Sequence, residues 1–541
     1  MRAMPAADAR RPNRCAATAC CGLTVVVLGA LGPAPAHADP LAIDQTSGQI
    51  ESDAAARDDA VDRLLGAPID DPLVVALDGA VTPLAGWSKG AFYLIEPKLH
   101  LSVGDGVPEN NGGEEEPGGF TPQLSTAGLL VWGPVEVRAT PWIRTGFLTT
   151  DGAAVDGLID VKNIWAGVHV GGLTVGFGRE DRWFGPSRHG SLTLTDNAVP
   201  PWMGTVSGEG RLPWVFRYLG RLRGELQVGW LGEPRGDWNN VGLMVGDARW
   251  LPIPELELGV TRMTLFGGEG RPPANIGQLI IPTEPHIYND PNLLLPDQDE
   301  LVALDFRINL PVQKWLPDVP IRHAEGYWQY GGEDVIARKA FGIPYPSLAG
   351  VANIYGGEVA VGPVTVNGEF SRLMDDTFRW YVGHRVYHEG FTQDGRPLGN
   401  YGGTDSETLW GRLGWEGEGP KDAAWLAPRV ALWADHQRRV GVIEARNGKT
   451  FDLGTEEHRW RVGAEASAAL PIAVGRGQRL SGGYTLEHVT GEDFVPNADR
   501  FLHRAWVSWS VDFSGRAKAP SLPAPNPDYG PQERERYDDG T

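Results

Sequence analysis

Apolar and polar side chains alternate one by one in short segments that recur from about Phe92 to Phe513. Leu304, Phe306, Ile308 and Leu310 alternate with Asp305, Arg307 and Asn309. Val364, Val366, Gly368 and Phe370 alternate with Thr365, Asn367, Glu369 and Ser371. The same pattern runs through Leu222–Trp230 and Ala505–Phe513. A period of two means strands with one apolar and one polar face. Short turns such as Gly171-Gly172 and Gly362-Pro363 separate some strands, and longer polar loops separate others. No apolar run in this region reaches the roughly 20 residues that a spanning helix needs. Hydrophobic residues make up 41% of the chain, which excludes general disorder. A formal charge of −21 argues against a nucleic-acid binder, which needs a basic surface.

Two all-β architectures fit: a soluble β-protein with polar faces outward, or a transmembrane barrel with apolar faces on lipid. Three features favour the antiparallel transmembrane barrel. First, residues 1–38 read as a signal peptide. Arg2, Arg10, Arg11 and Arg14 form its basic start, an apolar stretch is centred on Leu23–Leu31, and Ala36-His37-Ala38 offers a cleavage site. Second, Trp132, Trp142, Trp230, Trp250, Trp415 and Trp433 fall at strand ends, which suits interfacial girdles. Third, short turns alternate with long loops, the periplasmic and extracellular asymmetry of such barrels. About 420 residues at roughly 23 per strand and connection predict about 18 strands. The segmentation is therefore 1–38 signal peptide, 39–88 N-terminal periplasmic segment, 89–514 barrel and 515–541 tail. Ser52–Leu65 reads as a short helix with Ser52 as N-cap and Gly66 just past its end. The tail, with Pro520, Pro523, Pro525, Pro527 and Pro531, reads as extended, disordered and periplasmic.

All three cysteines, Cys15, Cys20 and Cys21, lie in the signal peptide. The exported chain would keep no thiol, disulfide or zinc–cysteine site. His384 and His388 are four apart, and on a strand they would stand roughly 13 Å apart, too far to share an ion. No metal or cofactor is expected.

The most distinctive stretch begins Gly178-Arg179-Glu180-Asp181-Arg182-Trp183-Phe184-Gly185-Pro186 and continues through Ser191-Leu192-Thr193-Leu194 to Asn197-Ala198. Its candidate binding residues are Arg179, Arg182, Trp183, Phe184, Arg188 and Asn197. Aromatic faces can stack on a sugar ring while forked polar groups hold its hydroxyls. The alternative is a loop folded into the barrel as a plug, with Trp183 blocking the lumen; the two readings are compatible. A second candidate surface is the polar face of the strand beginning near Arg322. There His323, Glu325, Tyr327 and Gln329 alternate onto one side, followed by Glu333 and Asp334. They would line either an interior sugar or ion path or an internal salt-bridge network that rigidifies a closed barrel.

These motifs resemble those of the capsule-assembly Wzi family of outer-membrane barrels. The resemblance rests on the Trp183-Phe184-Gly185-Pro186 block and on Gly326-Tyr327-Trp328-Gln329-Tyr330-Gly331-Gly332-Glu333-Asp334. It rests also on the stretch from Tyr387 through Gly399 and Gly402 to Asp405-Ser406. It covers about residues 90–513. The chain has Trp183-Phe184-Gly185-Pro186-Ser187 where the family commonly has Trp-Trp-Gly-Pro-Gly. The resemblance implies an 18-stranded barrel that binds exported capsular polysaccharide or exopolysaccharide at the cell surface, lectin-like and not an enzyme. Expected partners are that polysaccharide, outer-membrane lipid, the barrel-assembly machinery and polysaccharide-export proteins, with the barrel itself a monomer. A diffusion channel for oligosaccharides and, more distantly, an outer-membrane hydrolase are the competing functions.

Overall fold

In a computed structural model of the chain, the described residues are 75–77 and 90–512, less the connecting residues 105–118, 133, 147–154, 171–172, 212–219, 254, 272–297, 317, 341–342, 375–378, 385, 418–427, 445–449 and 471–476. They belong to one compact unit, residues 39–541; a second unit, residues 1–38, lies outside the described residues. The expected signal peptide, the Ser52–Leu65 helix and the tail from Gly515 therefore also lie outside them.

The strands, in chain order, are β1 (Val75–Leu77), β2 (Gly90–Gly104), β3 (Gly119–Trp132), β4 (Val135–Gly146), β5 (Val155–Val170), β6 (Leu173–Arg179), β7 (Trp202–Arg211), β8 (Arg221–Trp230), β9 (Gly242–Ile253), β10 (Leu256–Phe266), β11 (Asp299–Asn309) and β12 (Ile321–Gly332). They continue as β13 (Asp334–Ala340), β14 (Ile343–Ala349), β15 (Ala352–Val361), β16 (Val364–Leu373), β17 (Thr392–Gln393), β18 (Arg396–Pro397), β19 (Ser406–Glu416), β20 (Arg429–Glu444), β21 (Thr450–Ala469), β22 (Gly477–Thr490) and β23 (Asp499–Asp512). Eighteen of them pair antiparallel with their neighbours, and β23 returns to β2 through Lys98–Gly104, closing the barrel. The three-residue β1 pairs with Gly90–Phe92 on the same edge of β2. The hairpins β13–β14 and β17–β18 stand apart, inside two of the connections.

The alternation in the sequence decides which face points where. On β11, Leu304, Phe306 and Ile308 are 37–47% exposed, whereas Asp305 and Arg307 are 3–5% exposed. Inward groups are therefore polar and outward groups apolar, the inverse of a soluble barrel and the arrangement of a membrane barrel. Inward charges meet in pairs. Arg249 bonds Asp247 at 2.7 Å and Asp305 at 2.6 Å, and Arg307 bonds Glu257. Ions held from bulk water need such partners. Trp230, Trp250 and Trp415 face outward as girdle residues. Trp142 and Trp433 do not: they share the inward side of their strands with Glu136 and Asp435. Near a strand end, the nature of the residue does not fix the face; parity does.

Short turns at 133–134, 171–172, 254–255 and 362–363 share one end of the barrel with the chain ends of β2 and β23. The long connections 180–201, 231–241, 267–298, 333–351 and 374–405 share the other, the extracellular end in barrels of this class.

Candidate functional site

Strand β6 has only seven residues, whereas its neighbour β5 has sixteen. The chain consequently leaves the wall partway up and turns into the lumen. Residues 180–201 then cross it. Glu180 meets Arg138 of β4 at 2.5 Å, and Arg182 lies 3.6 Å from Glu225 of β8. Arg188 bonds Glu325 of β12 at 2.6 Å and approaches Glu358 of β15 at 3.5 Å. His189 Nε2 reaches Asp435 of β20 at 3.2 Å. The backbone amides of Arg188, His189 and Gly190 all donate to the Glu369 carboxylate of β16, at 2.9, 3.2 and 2.9 Å. Tyr327 Oη donates to the same carboxylate at 2.8 Å. One segment thus touches the wall from β4 round to β20.

The connection 374–405 folds in beside it. Thr195 N donates to Leu398 O at 2.8 Å, and Asn197 Nδ2 to Pro397 O at 3.0 Å. Tyr381 is fully buried at φ 71°, a backbone state that costs an aromatic residue on the order of 1–3 kcal/mol. Its phenol lies 3.1 Å from the carbonyls of both Ser191 and Leu192 and accepts from Asn400 N at 2.7 Å. Together the two connections enclose an apolar core: Phe184, Leu192 and Leu194 pack with Trp380, Tyr381, Tyr387 and Phe391 against inward residues of β7, β9, β10, β11 and β15. A hydrophobic core inside a polar-lined lumen is a plug.

The third loop, 231–241, is fastened to this plug by a buried guanidinium and by bonds from Gly236 N to Glu389, from Glu389 N to Asp237 and from Trp238 Nε1 to Val386 O. The Arg235 side chain has no exposed surface. It donates to Glu233 at 3.1 Å, Asp237 at 3.0 Å, Thr392 O at 2.8 Å and Gly390 O at 2.7 Å. Burial pushes the Asp237 carboxyl up, but Arg235 and the amides of Trp238 and Glu389 outweigh it and hold the group below its ordinary value. For Glu233 burial prevails over the Asp394 amide and Arg235, and the carboxyl is raised.

Arg179 is on the outer side of β6, paired with Asp160 at 3.1 Å, away from the lumen. Arg182, Arg188 and Asn197 are engaged as above. Phe184 is 5% exposed in the plug core, so its ring face is not presented. Trp183, expected as the blocking side chain, is instead half-buried, with Nε1 donating to Ser187 O at 2.9 Å; Phe184 takes the core position. His323, Glu325, Tyr327 and Gln329 face inward, and Glu333 is buried just beyond them. His323 lies 3.5 Å from Glu325. Gln329 accepts from Ser187 at 2.8 Å and donates to Asp305 at 2.8 Å. Gly185, at φ 115°, lies so close to Gln329 that a β-carbon would collide with it. Asp334 opens β13, and its side chain lies outside the described residues. This face is a network bracing the plug. His384 sits in a loop, its Nδ1 accepting from the amides of Val386 and Tyr387 at 3.3 Å, and His388 is exposed.

Sequence reasoning missed Arg235, Tyr381, His189 and Asp435 as parts of the site. The available signal was the loss of alternation between Trp380 and Phe391 despite four aromatic residues there.

Residues 149–500 match the family described as capsule assembly protein Wzi. The chain belongs to the Wzi family. Among solved structures, Escherichia coli Wzi is described as an outer-membrane protein involved in group 1 capsule assembly and as a carbohydrate-binding β-barrel. It is 16% identical, covers 76% of this chain and 84% of its own, and has a TM-score of 0.54. Pseudomonas aeruginosa OprD is 9% identical over 78% of this chain and 95% of its own, with a TM-score of 0.42. Acinetobacter baumannii OccAB2 is 8% identical over 78% and 97%, with a TM-score of 0.44. Curated proteins gave no match. The Wzi likeness fixes the fold, an outer-membrane barrel of eighteen strands, and the plug is the feature by which this member's lumen is described.

The plug has an alkaline signature. Burial raises the Tyr381 phenol above its ordinary value of about 10. Burial and then the Asp435 carboxylate, 2.6 Å away, raise Tyr401 well above it. A raised phenol contributes stability that is complete below the unfolded pKa and is lost as pH climbs through the folded one. Tyrosinate absorbance should therefore show at least two tyrosines, Tyr381 and Tyr401 among them, that resist ionisation past pH about 10 and titrate as the plug loosens. Tyr381→Phe should remove one of them. Normal titration of every tyrosine in the folded barrel would refute the plug packing.

Proposed function

We propose that this Wzi-family barrel binds capsular polysaccharide or exopolysaccharide at the cell surface and helps retain or assemble it there, without catalysis. The observation that carries the reading is the plug, three long loops folded into the lumen and cross-braced to its wall. A diffusion channel has no use for such a closure, whereas a surface anchor does. In this reading Arg182, Arg188 and Asn197 are positioning residues that hold the block in place. Trp183, half-buried, presents the ring that stacks on sugar. The segment 1–38 is removed on export, the barrel-assembly machinery inserts the chain as a monomer, and polysaccharide-export proteins deliver its ligand.

The test is a deletion strain carrying either the wild-type gene or a Trp183→Ala variant, with cell-bound and shed polysaccharide measured separately. The deletion should shift polysaccharide from cells to medium without lowering its total, wild type should restore retention, and Trp183→Ala should restore it only in part. Purified wild-type barrel should be nearly silent in planar bilayers. Unchanged retention in the deletion strain, or steady open-channel conductance, would refute the proposal.

A further inference from the structure

The inner wall is not uniform. On β9–β15 the inward charges Asp247, Arg249, Asp305, Arg307, Glu325 and Glu358 are all 8% exposed or less. On β19–β23 the inward residues level with the plug, such as Asp435, Glu457 and Arg461, are just as buried, but toward the short-turn end Arg412 is 28% exposed and Glu465 31%, and Trp433 and Trp506 are half-buried. Accessible lumen therefore lies along the short-turn half of β19–β23, beyond the plug.

The two indoles there lie flat on the sheet. A β-carbon at Gly463 would collide with the Trp433 ring, and one at Gly483 with the Trp506 ring. Gly463 is on β21, directly opposite Trp433, and Gly483 is on β22, directly opposite Trp506. The rings thus cover adjacent strands. His100 extends the surface, stacked on Trp506 at 5.7 Å with its Nδ1 2.7 Å from Ser508 Oγ. Arg412 and Glu465, 4.0 Å apart, and Ser481 border it with donors and acceptors. Two other inward aromatic groups that cover glycines are closed off: Trp165 over Gly167 and Gly176 is 2% exposed, and Tyr327 over Gly356 is 5% exposed. Covering a glycine therefore accounts for Trp165 and Tyr327, but it leaves the open faces of Trp433 and Trp506 without a use.

We propose that this arc is a second saccharide site, inside the barrel, separate from the plug. Flat aromatic faces flanked by hydroxyl, guanidinium and carboxylate groups suit pyranose rings, whose C–H faces stack while their hydroxyls bond at the edges. Near-balanced charge beside the rings suits a sugar chain of low charge density. The site rests on the polysaccharide reading only for its ligand class.

The test uses full-length protein in detergent, with folding verified by heat-modifiable migration. Maltohexaose serves as the neutral probe and an alginate hexasaccharide as the anionic one, titrated by calorimetry and by tryptophan fluorescence. Wild type should bind maltohexaose saturably. Trp433→Ala and Trp506→Ala should each weaken it at least tenfold, Trp433→Phe should retain most of it, and Trp230→Ala, on the outward face of β8, should leave it unchanged. A second readout uses Ser481→Cys, whose thiol is the only one once residues 1–38 are removed: bound hexasaccharide should slow its labelling by maleimide. Absence of binding by either hexasaccharide, or equal binding by the two Trp→Ala variants and wild type, would overturn the site. Retention of polysaccharide on cells is scored separately, so failure here leaves the surface-binding reading standing or falling on its own assay.

Discussion

Arg235→Ala should turn a silent barrel into a conducting one. The Arg235 guanidinium is fully enclosed and donates to two carboxylates and two carbonyls across two loops. Removing it leaves Glu233 and Asp237 buried, like-charged and without their cation. Breaking a buried pair in this way costs about 3–5 kcal/mol. That cost falls on the loop contacts alone, because Arg235 touches no barrel strand through any of these bonds. The barrel should keep its heat-modifiable form while the loops 231–241 and 386–394 separate. Planar-bilayer conductance should rise severalfold, and cells should become sensitive to antibiotics normally excluded by the outer membrane. Arg235→Lys should rescue little, because one ammonium cannot reproduce a fork that reaches four acceptors. If Arg235→Ala remains as silent and as impermeable as wild type, the loop is held elsewhere and the clamp is incidental.

Phe184→Ala should cost more plug stability than the neighbouring Trp183→Ala, although Trp is the larger residue. Phe184 is 5% exposed and packs in the plug core, whereas Trp183 is half-buried at its edge. Large-to-small changes of a buried Phe cost about 3–5 kcal/mol, from lost transfer energy and the cavity left behind. The cavity would border Gly185, whose positive φ and close approach to Gln329 leave little room for collapse. Limited proteolysis within residues 180–201 measures the loss: cleavage should be fast in Phe184→Ala and near wild-type in Trp183→Ala. The order of retention on cells should be the reverse if Trp183 is the sugar-stacking ring. Equal proteolysis of the two variants would show that the core does not depend on Phe184.

Arg188 illustrates why the binding block and the plug looked alike in the sequence. A cluster of arginines beside aromatics suits an anionic sugar, and it equally suits a wall of carboxylates. The Glu325 and Glu358 side chains that engage Arg188 are more than 130 residues away along the chain. Nothing near Arg188 reports them. The four residues from His323 to Gln329 were legible as an inward face because parity is local. Whether that face lined a path or a brace was not, because the answer lies in Ser187, Ser191 and Arg188 on a different loop.

The same distinction separates what the chain determined alone from what its folding decided. Period-two alternation is imposed by the pleat of a strand, so strand identity and which residues share a face are written within ten-residue windows, whereas the barrel class and its inside-out polarity rested on features spread along the chain, namely the N-terminal leader, the strand-end tryptophans and the alternation of short turns with long loops. The inward positions of Trp142 and Trp433 obey that parity, and only a reading by residue type misplaced them. The plug has no such period. It exists because residues near 190 pair with residues near 390, as in Thr195 to Leu398 and Tyr381 to Ser191. These contacts are made by irregular backbone, whose hydrogen bonds and side chains follow no repeat. Closure of the barrel brings the two connections into one lumen, and only there do an aromatic pair, a guanidinium and a ring of carboxylates become one site.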